Sequence, residues 1–142
     1  MRLILDTNIL ISALIVPGGA PDTLYQCWRK GSFTLISSEE QLDEFRRVSR
    51  YPRLQRFLSP AAAGAMVNEL RALAELTGPL PRVDVSPDPA DNFLLAMSRA
   101  GKADYLVTGD GKHLLSLVRY GATHIVTARQ ATGLFGDPQR HK

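Results

Sequence analysis

Leu3-Ile4-Leu5 is a short apolar run that stops at Asp6, and the same design returns along the chain at Phe33 to Ile36, Val83 to Val85, Tyr105 to Thr108 and Ile125-Val126. Runs this short and this apolar read as strands buried on both faces. Helical signals separate them. One helix is expected from Asn8 to Leu14, and one from Pro21 or Asp22 to Lys30. "SSEEQLDEFRRVSR" carries capping-box spacing twice, Ser37 to Glu40 and Ser38 to Gln41, ahead of apolar Leu42, Phe45 and Val48. "YPRLQRF" breaks that helix, and Ser59-Pro60 opens another that runs to about Leu76, with Ser as N-cap and Pro in the first turn. Further helices are expected at Asp91 to Ala100, at Leu114 to Val118, and after Thr127 as a cap. Strands alternating with helices are joined by crossovers, so they run parallel with both faces covered. The expected fold class is therefore α/β, a three-layer α/β/α sandwich on a central, mainly parallel sheet.

One domain over residues 1–135 accommodates all of these elements, and "GDPQRHK", residues 136–142, reads as a flexible tail. At 142 residues and 44% hydrophobic, the chain can bury a core without disulfides or a structural metal. Its single cysteine, Cys27, excludes an internal disulfide and suits a reducing compartment. Asp6, Asn8 and Ser12 interrupt the apolar stretch from residue 3 to 16, so neither a signal peptide nor a membrane anchor is expected. A cytoplasmic protein with no membrane partner is the expectation.

In an open parallel sheet, ligands bind beyond the carboxyl ends of the strands. Asp6 stands at that end of the first strand, and Asp110 two residues past Thr108. In "PDPADNF", Asp88 suits the N-cap because Pro89 then falls in the first turn, which leaves Asp91 one turn in and free to face the crevice. A fourth acid comes from "EEQLDEF". At 100° per residue Glu44 lies roughly 100° from the centre of the buried face, whereas Asp43 and Glu40 lie roughly 140 to 160° away. Each acid alone is equally a cap or a surface residue; the set is what points to chemistry.

Four carboxylates aimed at one crevice raise one another's pKa unless a hard cation sits among them. Oxygen ligands without cysteine favour Mg²⁺ or Mn²⁺, and the chemistry such an ion serves best here is phosphodiester hydrolysis. Thr7, Asn8 and Thr108 are short polar groups suited to orienting those carboxylates, or to capping and turning the chain.

"LDTNILIS", "EEQLDEF" and "DPADNFLLAMSRAGKADYLVTGD" resemble the PIN-domain ribonucleases over about residues 2 to 130, and among them the VapC-like toxins of toxin-antitoxin modules. The resemblance implies a PIN-like fold, RNA as substrate, a Mg²⁺ or Mn²⁺ site, a homodimer or higher homo-oligomer, and a small antitoxin protein that blocks the site. By position, the family's four acids fall on Asp6, Glu44, Asp91 and Asp110. Gly111, Lys112 and His113 stand where some relatives carry a further carboxylate, so one ion is expected rather than two.

For the substrate, Arg46, Arg47, Arg50, Arg53 and Arg56 are interleaved with Tyr51 and Phe57, and Lys112 lies beside Asp110. They are candidates for gripping phosphates and stacking on bases, or else a solvated helix face. The net charge is only +3, but with the four site acids offset by a cation, 17 bases face 14 − 4 = 10 acids, an excess of +7. A haloacid-dehalogenase-type phosphotransferase needs a second acid where Asn8 stands. A receiver domain needs an acidic pair near the first strand and an aspartate on a middle strand, and "LILDTN" and "FTLISS" supply neither. A non-catalytic PIN-like module that binds RNA or protein is the alternative.

Overall fold

The structure is a computed structural model that describes residues 1–109 and 113–135. In chain order the elements are β1 (Arg2–Leu5), α1 (Thr7–Ile15), α2 (Ala20–Arg29), β2 (Thr34–Ser37), α3 (Glu39–Ser49), α4 (Pro52–Gln55) and α5 (Pro60–Leu73). There follow β3 (Glu75–Leu76), α6 (Pro89–Ala100), β4 (Tyr105–Val107), α7 (Leu114–Leu117), β5 (Arg119–Tyr120), β6 (Thr123–Val126) and α8 (Ala128–Phe135). The sheet order is β3-β2-β1-β4-β6-β5, with every pairing parallel except β5 against β6.

Strand alternation divides the core in two. Leu3, Leu5, Leu35 and Val107 face a layer that holds Leu10, Leu24, Phe45 and Leu70 from α1, α2, α3 and α5. Ile4, Ile36, Leu106 and Ile125 face the other layer, with Leu94, Leu95 and Met97 of α6 and Leu114 of α7. The three-layer sandwich is thus formed as expected.

From β1 the chain builds outward through β2 to β3, then returns to lay β4 on the other side of β1. That reversal puts the topological switch point between β1 and β4, where a crevice opens beyond the strand ends.

Two expectations are corrected. Residues 83–85 form no strand, and the third strand is Glu75–Leu76, which the sequence had assigned to the end of a helix. The physical reason lies in backbone donors. Pro81 and Pro87 flank the segment and offer no N–H, and the Asn92 side-chain oxygen takes the N–H groups of Val85 and Ser86 at 3.0 and 2.8 Å, so the end of the segment is tied to α6 and not to a strand. The helix from Pro60 ends at Leu73, because Glu75 and Leu76 pair with Ile36 and Ser37 instead. The two-residue β5, a hairpin partner of β6, is an element the sequence reading missed.

Candidate active site

The Asp6 N–H donates to the Val107 carbonyl at 2.9 Å, the last rung between β1 and β4. That bond holds Asp6 at the switch point, and its side chain becomes the N-cap of α1: Oδ1 accepts the Asn8 N–H at 3.2 Å. Oδ2 accepts the Thr108 hydroxyl at 2.8 Å. Cap and site residue are therefore one carboxylate, fixed through both oxygens. Burial pushes its pKa above the usual carboxylate value. The Thr108 and Asn8 bonds work against that rise, and the charges of Glu44 and Asp91 add to it.

Glu44 comes from the middle of α3 and accepts a hydrogen bond from the Thr7 hydroxyl. Its side chain is 24% exposed, against 73% for Asp43, as the helical angles require. Arg47 reaches over it, Nη2 lying 4.0 Å from Oε2.

Asp91 sits in the first turn of α6, only 4% exposed. Asp88 is the cap, accepting the Ala90 N–H at 2.9 Å, as the proline position predicts. The Ser86 hydroxyl donates to Asp91 Oδ2 at 2.9 Å and accepts the Asp88 N–H at 3.2 Å.

Of the supporting polar groups, Thr7 and Thr108 orient acids through their hydroxyls, while Asn8 contributes its backbone N–H and its side chain is exposed. Asp110 and Lys112 lie outside the described residues. Among the arginines, Arg47 reaches a candidate acid, Glu44. Arg46 pairs with Asp43 at 3.3 Å, Arg50 lines a cavity on the far flank of α3, and Arg53 lies over the Tyr51 ring at 5.5 Å.

Three supporting residues were missed. Gln41 is buried and donates from Nε2 to the Leu5 carbonyl at 2.7 Å while accepting from Ser37 Oγ at 2.6 Å, tying α3 to the end of β1. The Ser38 cap on Gln41 N–H is present at 3.1 Å, but the reciprocal half of the capping box is spent on that tie. Asn92 and Ser86 form the other support: Asn92 holds the 85–86 backbone and also donates to the Ser86 carbonyl at 2.8 Å. The polar residue following Asp91 was the available signal for Asn92.

Among the described residues, no group of three or more His, Cys, Asp or Glu side chains is close enough to hold a metal ion. The donor chemistry does fit a hard cation: carboxylates from α1's cap, α3 and α6, oxygen only, with Glu44 and Asp91 each raising the cost of ionising Asp6.

The fold is thus a mainly parallel α/β sandwich with carboxylates gathered at the switch point of its sheet. A sequence model of the PIN domain matches residues 2–112, and the chain belongs to the PIN domain family. No curated protein matches it. Among solved structures it is similar to a chain of VapBC2 from Rickettsia felis, crystallised bound to a DNA fragment from its promoter. The TM-score is 0.54 at 16% identity, covering 89% of this chain and 98% of that one. Among the described residues, no helix is long and apolar enough to cross a membrane.

Proposed function

We propose that this protein is a metal-dependent endoribonuclease of the VapC-like kind, the toxin of a toxin-antitoxin module. The observation that carries the reading is the convergence on Asp6: a capped, half-buried carboxylate at the switch point whose pKa is raised by desolvation and further by acids from two other helices. Capping α1 needs Asp6 alone, so the approach of Glu44 and Asp91 to it is what points to a bound cation.

Asp6, Glu44, Asp91 and Asp110 are the residues that would hold Mg²⁺ or Mn²⁺. Such an ion, when bound, supplies shielding of the scissile phosphate and a water of lowered pKa. The chain's own residues set the geometry. Thr108 and the Asn8 N–H fix Asp6, Thr7 fixes Glu44, and Ser86 fixes Asp91, so three carboxylates keep their orientation when the charge among them changes. Arg47, beside Glu44, is placed to take a phosphate next to the scissile one. An antitoxin that covers the acids, and a homodimer or higher homo-oligomer, complete the proposal; the likeness to a chain of VapBC2 supports the antitoxin.

The test is cleavage of a mixed RNA pool by purified protein with Mn²⁺ or Mg²⁺, beside an EDTA control and Asp110→Asn. Cleavage that requires both the metal and Asp110 supports the reading. Folded protein free of partner that cuts no RNA would transfer it to a non-catalytic RNA- or protein-binding role.

A further inference from the structure

Gly64 lies in the interior of α5, where glycine costs about 1 kcal/mol relative to alanine. The backbone does not require it: its φ is not positive, and a Cβ built there meets nothing within 4 Å. Gly64 lines a cavity of about 200 Å³ between α3 and α5. The cavity floor is apolar, formed by Leu58, Ala63 and Val67, and its rim carries Arg46, Arg50 and Asn68. Pockets for drug-sized ligands run from roughly 300 Å³ upward, so this one has room for a single ring system.

Helix geometry links the cavity to the acids. Glu44 and Arg47 of α3 and Arg50, its C-cap, recur every three residues, so successive members are offset by about 60° around the helix and about 4.5 Å along it. The row begins at the acid site, crosses the exposed face through Arg47, and ends at the cavity rim. Asp43 pairs with Arg46, whereas among the described residues no ion pair engages Arg50. An apolar floor under guanidinium and amide groups suits a planar base that stacks and hydrogen-bonds at its edge, and the arginine row suits the backbone leading to it.

We propose that the cavity between α3 and α5 is a subsite for one unpaired nucleobase of an RNA strand whose phosphates run from the acids along Arg47 and Arg50. This rests on the ribonuclease reading above. It makes single-stranded RNA the substrate class, because a paired base cannot enter.

The experiment compares wild type, Gly64→Trp and Gly64→Ala for equilibrium binding of a fluorescent unstructured RNA in EDTA, and for cleavage of the same RNA in Mn²⁺. Gly64→Trp is expected to weaken binding roughly tenfold or more, while Gly64→Ala leaves it unchanged and raises Tm. A folded Gly64→Trp that binds RNA as wild type does overturns the subsite, as does loss of a protein partner with RNA binding intact. If Gly64→Trp does not fold, abasic nucleotides scanned through the RNA against wild type replace it: one position is expected to cost about the same factor, and no such position overturns the proposal. Wild type that binds RNA but cuts none defeats the nuclease reading and leaves the binding comparison to decide the subsite; wild type that binds no RNA overturns both.

Discussion

Asp6 carries two tasks that pull against each other. As an N-cap it suits a charged oxygen near the α1 N-terminus, yet its burial and the nearby Glu44 and Asp91 favour the protonated form. Because its folded pKa is raised, the folded state holds the proton more tightly than the unfolded chain. In EDTA this contribution to stability is present below the ordinary value of 3.8 and is lost as pH rises through the higher folded value. Asp6→Asn, which keeps the cap, is therefore expected to raise Tm at neutral pH in EDTA while abolishing metal-dependent cleavage; thermal melts across pH check the sign. Thr108→Val removes the hydroxyl that holds the Asp6 pKa down. Its expected outcome is a loss of about 10- to 100-fold in kcat, with the acidic limb of the pH-rate profile moved to higher pH.

At the scale of elements, the site depends on how α6 and α3 are held. Asn92 accepts two backbone N–H groups and donates to a carbonyl, so it fixes the loop whose Ser86 orients Asp91. Asn92→Ala strands those groups and is expected to cost about 1–3 kcal/mol in denaturant unfolding, with a fall in kcat as Asp91 loses its partner. Gly101, after α6, is required by proximity: a Cβ there would lie 2.6 Å from Ile36 Cγ2 and 3.1 Å from the Met97 carbonyl. Gly101→Ala is expected to destabilise by about 1–3 kcal/mol, since Ile36 is fully buried and has nowhere to retreat.

For the whole molecule, charge and ligand linkage decide behaviour. If the acids hold a cation, Mn²⁺ at a hundred times its Kd raises the stability of wild type by about 2.7 kcal/mol and leaves Asp91→Asn nearly unmoved, a comparison that Tm measurements make directly. The sheet brings acids from three distant stretches together on a chain of net charge +3, so the surplus of bases lies elsewhere on its surface. Binding of single-stranded RNA should accordingly weaken with salt, and Arg47→Ala should flatten the slope of log K against log salt by about 0.7.

The alternation of short apolar runs with helices was legible in the sequence, and with it the parallel sheet, its two covered faces and the place of Asp6 at the carboxyl end of the first strand. Periodicity also selected Glu44 over its acidic neighbours, and the proline after Asp88 separated cap from site acid. These are local facts, written in spacing and in backbone chemistry. Only the tertiary structure decided which strand lies at the third position, because Val83 to Val85 has valines at strand spacing but its Val85 N–H goes to Asn92 of α6. Likewise it decided that the Gln41 amide oxygen takes the Ser37 hydroxyl in place of a capping-box N–H while its nitrogen ties to Leu5, that Thr108 reaches Asp6 across 102 residues, and that Gly64 borders a cavity instead of a core. Each of these depends on what another element brings within hydrogen-bond reach, and spacing along one segment carries no record of that.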